Sequence, residues 1–418
     1  MIYEFSFENY RSYRNEATIG FLAKPISEFE DTLIRTKGED ALLPVCAIYG
    51  PNGGGKSSVI MAIEELRQIV MQPLLQLAFM KKKNEELGDA PIEQLKDGLA
   101  DIHITSSYYK WDKEYADKPT KFNILFQIDD YKYRYELELK KEDIIVENLY
   151  MEKDGCIEVI FERDEEGVFL CDKLESVDME NINESLPILS YIAMFKNIDI
   201  IDRVFKFFMQ IKVLNYDKPN MDRKIFVKQI EKDKKRVCSV LQSMGIDICD
   251  IEVVYDDDGS IKEIYTTHLL SSGETTKLCL SEESGGTKKI ISIIPILLKG
   301  IEQNCLFLID ELDAKLHPLL LRRIIELFTD KRINKGTAQL LFTSHDLTTM
   351  SKDVFRRDEI WFSAINAYEE SVLYSLVDFR KEGGNKPRND ENYSKQYLEG
   401  RYGADPYFKK LVNWEVPE

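Results

Sequence analysis

Residues 46–60, CAIYGPNGGGKSSVI, constrain the fold of this chain more than any other stretch. Gly50, Gly53, Gly54 and Gly55 stand directly before Lys56 and Ser57. Glycine loses more backbone freedom on ordering than any other residue, so a cluster of it needs a reason. A flexible linker is one, but the flanks oppose it. Val45 to Tyr49 reads as a short buried strand, and from Ser57 to Val70 apolar residues recur at helical spacing (Val59, Ile60, Ala62, Ile63, Leu66, Ile69). Strand, glycine loop and helix in that order fit a phosphate cradle. Gly50 to Ser57 matches G-x-x-x-x-G-K-[ST], in which backbone N–H groups turn inward around an anion and the helix adds its positive end. The candidate cradle residues are Gly50, Asn52, Gly53, Gly55, Lys56, Ser57 and Ser58. Lys56 is placed to reach terminal phosphates and the Ser57 hydroxyl to ligate Mg²⁺.

A nucleotide cradle needs a metal clamp, and CLFLIDELDAKLHP, residues 305–318, supplies a candidate. Cys305 to Ile309 suits a buried parallel strand. Asp310 then emerges at the carboxyl end, where open α/β sheets bind ligands, and can hold Mg²⁺ through water. Glu311 follows, placed to orient or deprotonate an attacking water. A lone Asp-Glu pair reads as a polar strand end; coupled to the cradle it reads as a Walker B pair. QLLFTSHD, residues 339–346, is a second apolar strand ending in polar residues, among them His345, one of only four histidines. SEESGGTKKIISIIPILL, residues 281–298, opens an apolar helix with Ser284, Gly285, Gly286 and Thr287. Ser284 suits an ordinary N-cap. The same helix end is also an anion site, and a second one on one chain makes sense if it serves a neighbour's nucleotide.

Elsewhere the pattern divides the chain. Alternation at Tyr3, Phe5 and Phe7 predicts a half-buried first strand. Residues 71–118 read as a charged surface insertion, and residues 121–170 as an antiparallel meander punctuated by turns at Asp129-Asp130 and Asp154-Gly155. Residues 186–245 read as helical, with Lys232, Lys234, Lys235 and Arg236 on a solvated face. Residues 250–269 form a hairpin around Asp258-Gly259. Beyond it strands and helices alternate, as in a parallel α/β core. The resulting divisions are 1–170, an N-terminal lobe; 171–248, a helical insertion; and 249–418, a C-terminal lobe.

Formal net charge is −18, which disfavours a broad grip on DNA or an anionic membrane, although nucleic-acid binding by a local patch stays open. Seven scattered cysteines without a C-x-x-C pair read as reduced cytosolic thiols, and no apolar run reaches the roughly 18 residues of a membrane span. The expected location is the cytoplasm.

Cradle, Ser284–Thr287, Asp310-Glu311 and His345 occur in an order that resembles the ABC-type ATPases of the SMC and RecF kind. The opening FENYRSYRNEATIGF looks like the start of those proteins, which makes Arg11 a further nucleotide-site candidate. The tail YLEGRYGADPYF and the segment KPTKFNILF are similar to stretches of compact anti-phage ATPases of the RloA, AbiL and AriA (PARIS) kind. The resemblance implies an α/β ABC-type P-loop ATPase head with a β-rich N-terminal lobe, a helical insertion and no long coiled coil. It implies ATP and Mg²⁺ as ligands, a signature loop at Ser284, Gly286 and Thr287, and His345 as a switch histidine on the γ-phosphate. It further implies a head-to-tail homodimer controlling a separate toxic effector, such as a nuclease from a neighbouring gene. A RecF-like DNA-repair clamp and a self-contained toxin or nuclease are the alternatives.

The sequence also departs from that pattern. The glutamine loop cannot be placed, because residues 95–120 contain no Gln. The 73 residues after His345 are too few for a TOPRIM nuclease domain. The acidic run Asp256–Asp258 fits a turn better than a metal site.

Overall fold

The structure is a computed structural model that describes the chain except for residues 37–39, 86–105, 178, 180–181, 215–222, 381–386, 389–390 and 405–418. Its centre is a six-stranded sheet in the order Ile211–Leu214, Leu306–Ile309, Gln339–Thr343, Val45–Tyr49, Ile360–Ile365, Ser371–Ser375. The first five strands run parallel and the last is antiparallel. Alternation assigns the two faces to two cores. Cys46, Ile48, Leu306, Leu308 and Leu341 point into one, and Val45, Ala47, Phe307, Leu340 and Phe342 into the other. Parallel strands covered on both faces are apolar throughout, which is why these segments read as continuous apolar runs.

The first core is closed by helix Lys56–Glu85 and by a seven-stranded antiparallel sheet. That sheet is the expected meander, Thr120–Ile128 through Gly167–Leu170, extended at one side by Ile2–Glu8 and Ala17–Gly20. Helix Asp199–Gln210 packs on it, with Phe207 stacked on Phe126 at 3.9 Å between ring centroids. The second core is closed by helices Gly285–Glu302 and Pro318–Thr329. No helix among the described residues exceeds the 30 residues of Lys56–Glu85, and none is long and apolar enough to cross a membrane.

Three sequence expectations need amendment. Within the helical span 186–245 the short strand Ile211–Leu214 follows helix Asp199–Gln210 and joins the sheet edge beside Leu306–Ile309. Four residues between two helical runs carry too little alternation to announce a strand. A third strand, Thr275–Cys279, joins the expected hairpin of Ile248–Tyr255 and Ile261–Leu269. Residues 71–118 divide: the cradle helix continues to Glu85, residues 86–105 lie outside the described residues, and residues 107–111 contribute to the pocket at the cradle.

The basic face near residue 235 is tied to the chain's own acids, Lys234 to Asp250 at 2.6 Å and Arg236 to Glu302. The run Asp256–Asp258 occupies the hairpin turn, where Asp258 accepts from the Ser260 amide at 2.8 Å.

Candidate nucleotide site

Parallel register brings three strand ends to one edge. Ile309 lies beside Phe342, and Thr343 beside Ile48. The residues that follow, Gly50, Asp310 and Ser344-His345, therefore emerge together. The glycines permit the cradle's backbone. Gly50 has φ +153° and Gly55 φ +99°. A Cβ on Gly50 would lie 2.0 Å from the Ser363 carbonyl oxygen, and one on Gly55 would lie 2.5 Å from Ser371 Oγ. The loop is thus wedged against the neighbouring strands as well as turned.

Lys56 is buried and its Nζ donates to the Gly50 and Pro51 carbonyls, both at 3.0 Å. Burial lowers its pKa, opposed by the negative charges of Asp310, Glu311 and Asp313. Ser57 Oγ donates to Asp310 Oδ1 at 3.0 Å. A hydroxyl and a carboxylate facing each other are the hard oxygen donors that Mg²⁺ takes alongside phosphate and water, so this pair fits the ion. Among the described residues, no group of three or more His, Cys, Asp or Glu side chains could hold a metal by itself.

Thr343, absent from the sequence expectations, links the two halves of the site. Its buried hydroxyl donates to Asp310 Oδ1 at 2.6 Å and accepts from the Glu311 amide at 2.8 Å. Glu311 has φ +48°, a left-handed backbone that this bond helps to hold. Asp313 accepts from the His345 amide through both oxygens at 3.2 Å. The side chains of Glu311 and His345 are exposed and line one pocket of about 770 Å³ together with Arg11 and the cradle residues Asn52 to Ser58.

The loop at Ser284 is not part of this pocket. Ser284 is exposed and caps helix Gly285–Glu302, its Oγ accepting from the Thr287 amide at 3.1 Å. Gly286 passes close to the Lys315 carbonyl, where a Cβ would sit 3.0 Å away. One turn on, buried Lys289 donates to the carbonyls of Leu312 at 2.9 Å and Ala314 at 2.6 Å. The Ser284 helix is thereby fastened to the segment that carries Glu311. Next to Ser284, Glu283 accepts from Thr266 and shares a 2.6 Å hydrogen bond with His268 of the three-stranded sheet.

The remaining histidines have local roles or none described. His317 caps helix Pro318–Thr329, and His103 lies outside the described residues. No glutamine lines the pocket among the described residues; Ser107, Tyr108, Lys110 and Trp111 also line it, and the sequence did not single them out. Irregular chain carries no periodic signal, and only the aromatic–basic cluster YYKW stood to mark this stretch.

Residues 45–170 and 174–351 match the sequence profile of the family described as "AAA domain, putative AbiEii toxin, Type IV TA system". No curated protein matches the chain. Among solved structures, the SMC head domain from Thermotoga maritima is 14% identical, with 90% of this chain and 98% of that one covered and a TM-score of 0.44. The Smc head domain with an extended coiled coil from Pyrococcus furiosus, bound to the C-terminal domain of ScpA, is also 14% identical, with 90% and 96% covered and a TM-score of 0.40.

Proposed function

The chain belongs to the AAA-domain family whose description names AbiEii and type IV toxin–antitoxin systems, and from that premise we propose that it binds ATP and hydrolyses it to ADP and phosphate at a site completed by a second copy of itself. The observation that carries this reading is the convergence of Lys56, Ser57, Asp310, Glu311 and His345 around one strand edge. The cradle amides and Lys56 bind the phosphates, for which Lys56 exchanges its two loop carbonyls. Ser57 and Asp310 would hold Mg²⁺, which when bound would supply positive charge against the negative charge developing on the phosphates. Glu311 accepts a proton from the attacking water, and the His345 side chain donates to the terminal phosphate.

Ser284 supports the two-chain part of the proposal. Its helix end is a second anion site, exposed and outside its own pocket, as a loop serving a partner's triphosphate would be. Arrangement head to tail would give each pocket one such loop. In this reading ATP-driven assembly restrains or releases a separate toxic effector, such as a nuclease, in anti-phage defence.

Glu311→Gln tests the chemistry. It should bind ATP as the wild type does and turn over more slowly by roughly 10²–10⁴-fold, the usual contribution of a positioned base. Unchanged turnover would place the base elsewhere.

The word toxin in the family description favours a second reading, in which this chain is itself the toxic component. Expression of the chain without its gene neighbours separates the two. Normal growth supports the scaffold, and growth arrest that persists in Glu311→Gln supports the toxin.

A further inference from the structure

One wall of the pocket belongs to none of the nucleotide motifs. Residues 106–112 run across it in irregular conformation and enter the short helix Lys113–Asp117. This strap is fastened by the amino-terminal segment at three places. The Arg11 amide donates to the Ser107 carbonyl at 2.7 Å. Buried Asn9 accepts from the Tyr109 amide at 3.0 Å and donates to the Tyr115 and Lys118 carbonyls, each at 3.0 Å. Arg14 bridges Asp112 at 3.3 Å and Glu370 at 2.9 Å, with its guanidinium 4.8 Å from the centre of the Tyr115 ring. The NYRSYR sequence thus acts largely as a clasp.

The clasp fixes an unusual side chain. Trp111 is 64% exposed, yet its strap is anchored on both sides and its ring lies 5.5 Å from that of buried Tyr109. Among the described residues, the pocket lining holds two aromatic side chains besides the His345 imidazole, Tyr108 and Trp111. Lys56, Ser57, Glu311 and His345, in the same lining, are the side chains assigned above to the phosphates, which leaves the strap for the rest of the nucleotide. A flat apolar ring held at the edge of a phosphate cradle presents the chemistry that stacks on a nucleobase.

We propose that the strap is the nucleoside-recognition wall: Trp111 stacks on the base of a nucleoside triphosphate, and Asn9 and Arg14 are positioning residues that hold the strap in place. The inference rests on the triphosphate reading of the cradle. It also assigns the opening motif a role apart from phosphate contact.

Calorimetric titration of the full chain with ATP and with inorganic tripolyphosphate, both with Mg²⁺, tests it. Tripolyphosphate has the phosphates and lacks the base. Trp111→Ala should weaken ATP about tenfold, within the range of base–aromatic stacking, and leave tripolyphosphate unchanged. Trp111→Phe should keep most of the ATP affinity. Arg14→Ala should show the same selective loss, and the double variant should be no weaker than Trp111→Ala alone, because both act through one contact. Wild-type ATP affinity in Trp111→Ala, or an equal loss for both ligands, would overturn the strap assignment. Losses that multiply in the double variant would overturn the positioning role of Arg14. A wild-type chain that binds neither ligand would overturn the cradle and the strap together, whereas tight tripolyphosphate binding that Lys56→Ala abolishes upholds the cradle whatever Trp111 does.

Discussion

The Thr343 hydroxyl lies 2.6 Å from Asp310 Oδ1, the same oxygen that Ser57 Oγ reaches at 3.0 Å. One carboxylate oxygen therefore faces a donor from the cradle helix and a donor from the adjacent strand. Thr343 has one hydrogen to give and gives it to Asp310, so the Glu311 amide meets its lone pair. The orientation of both acidic residues depends on this hydroxyl.

Thr343→Val keeps the shape of the side chain and removes both bonds. Turnover should fall roughly 10–100-fold, as for other residues that orient a metal-binding carboxylate, with little change in ATP affinity. Thr343→Ser should restore activity. A Val variant with wild-type turnover would show that Asp310 and Glu311 hold their places unaided.

The cradle glycines should differ sharply in tolerance. Gly50→Ala pushes a Cβ to 2.0 Å from the Ser363 carbonyl, so backbone must move, and both ATP binding and thermal stability should be lost. Gly53 also has positive φ, +76°, but its Cβ would meet open space. Gly53→Ala should cost only the left-handed strain, about 1–2 kcal/mol. Melting curves of the two variants compare them directly. Equal destabilisation would mean that contact with Ser363 is unimportant.

Much of this arrangement is legible in the sequence because it is local. A strand followed by glycines and a helix, or an apolar run ending in Asp310-Glu311, announces itself within a few residues. The meander is legible for the same reason, through alternation and Asp-Gly or Asp-Asp turns. What escapes is set by contacts distant along the chain. Thr343 reads as the polar end of a strand until parallel pairing places it beside Ile48 and over Asp310. Arg356 carries no signal in the local sequence, and it is fully buried, paired with Asp358 and bound to the carbonyls of Lys24 and Glu28. The strap at 106–112 has no period, and its partners Asn9 and Arg14 lie about a hundred residues away.

Beside Arg356, Glu359 gives the stability a pH dependence. Burial pushes its carboxyl up to about 8, against the hydrogen bond from the Arg356 amide, and its Oε1 is buried with no hydrogen-bond partner among the described residues. An unfolded glutamate ionises near 4.5. Between these values the native chain holds a proton that the unfolded chain has released, so stability falls as pH rises through this window and levels off above it. Glu359→Gln removes that slope. Denaturant titrations should show the variant gaining on the wild type from pH 5 to 8 and no further gain above. Curves that stay parallel would mean that Glu359 is ionised throughout.

The proposal that two chains build each site is tested by mixing two inactive chains. Lys56→Ala lacks a phosphate-binding lysine, and Ser284→Arg blocks the exposed loop. A heterodimer of the two holds one pocket with both defects and one with neither. Each variant alone should be inactive, and the mixture, with heterodimers confirmed by mass, should recover up to about half of the wild-type ATPase rate per heterodimer, as one intact site of two requires. No recovery at any mixing ratio, or full activity in Ser284→Arg alone, would show that each chain completes its own site.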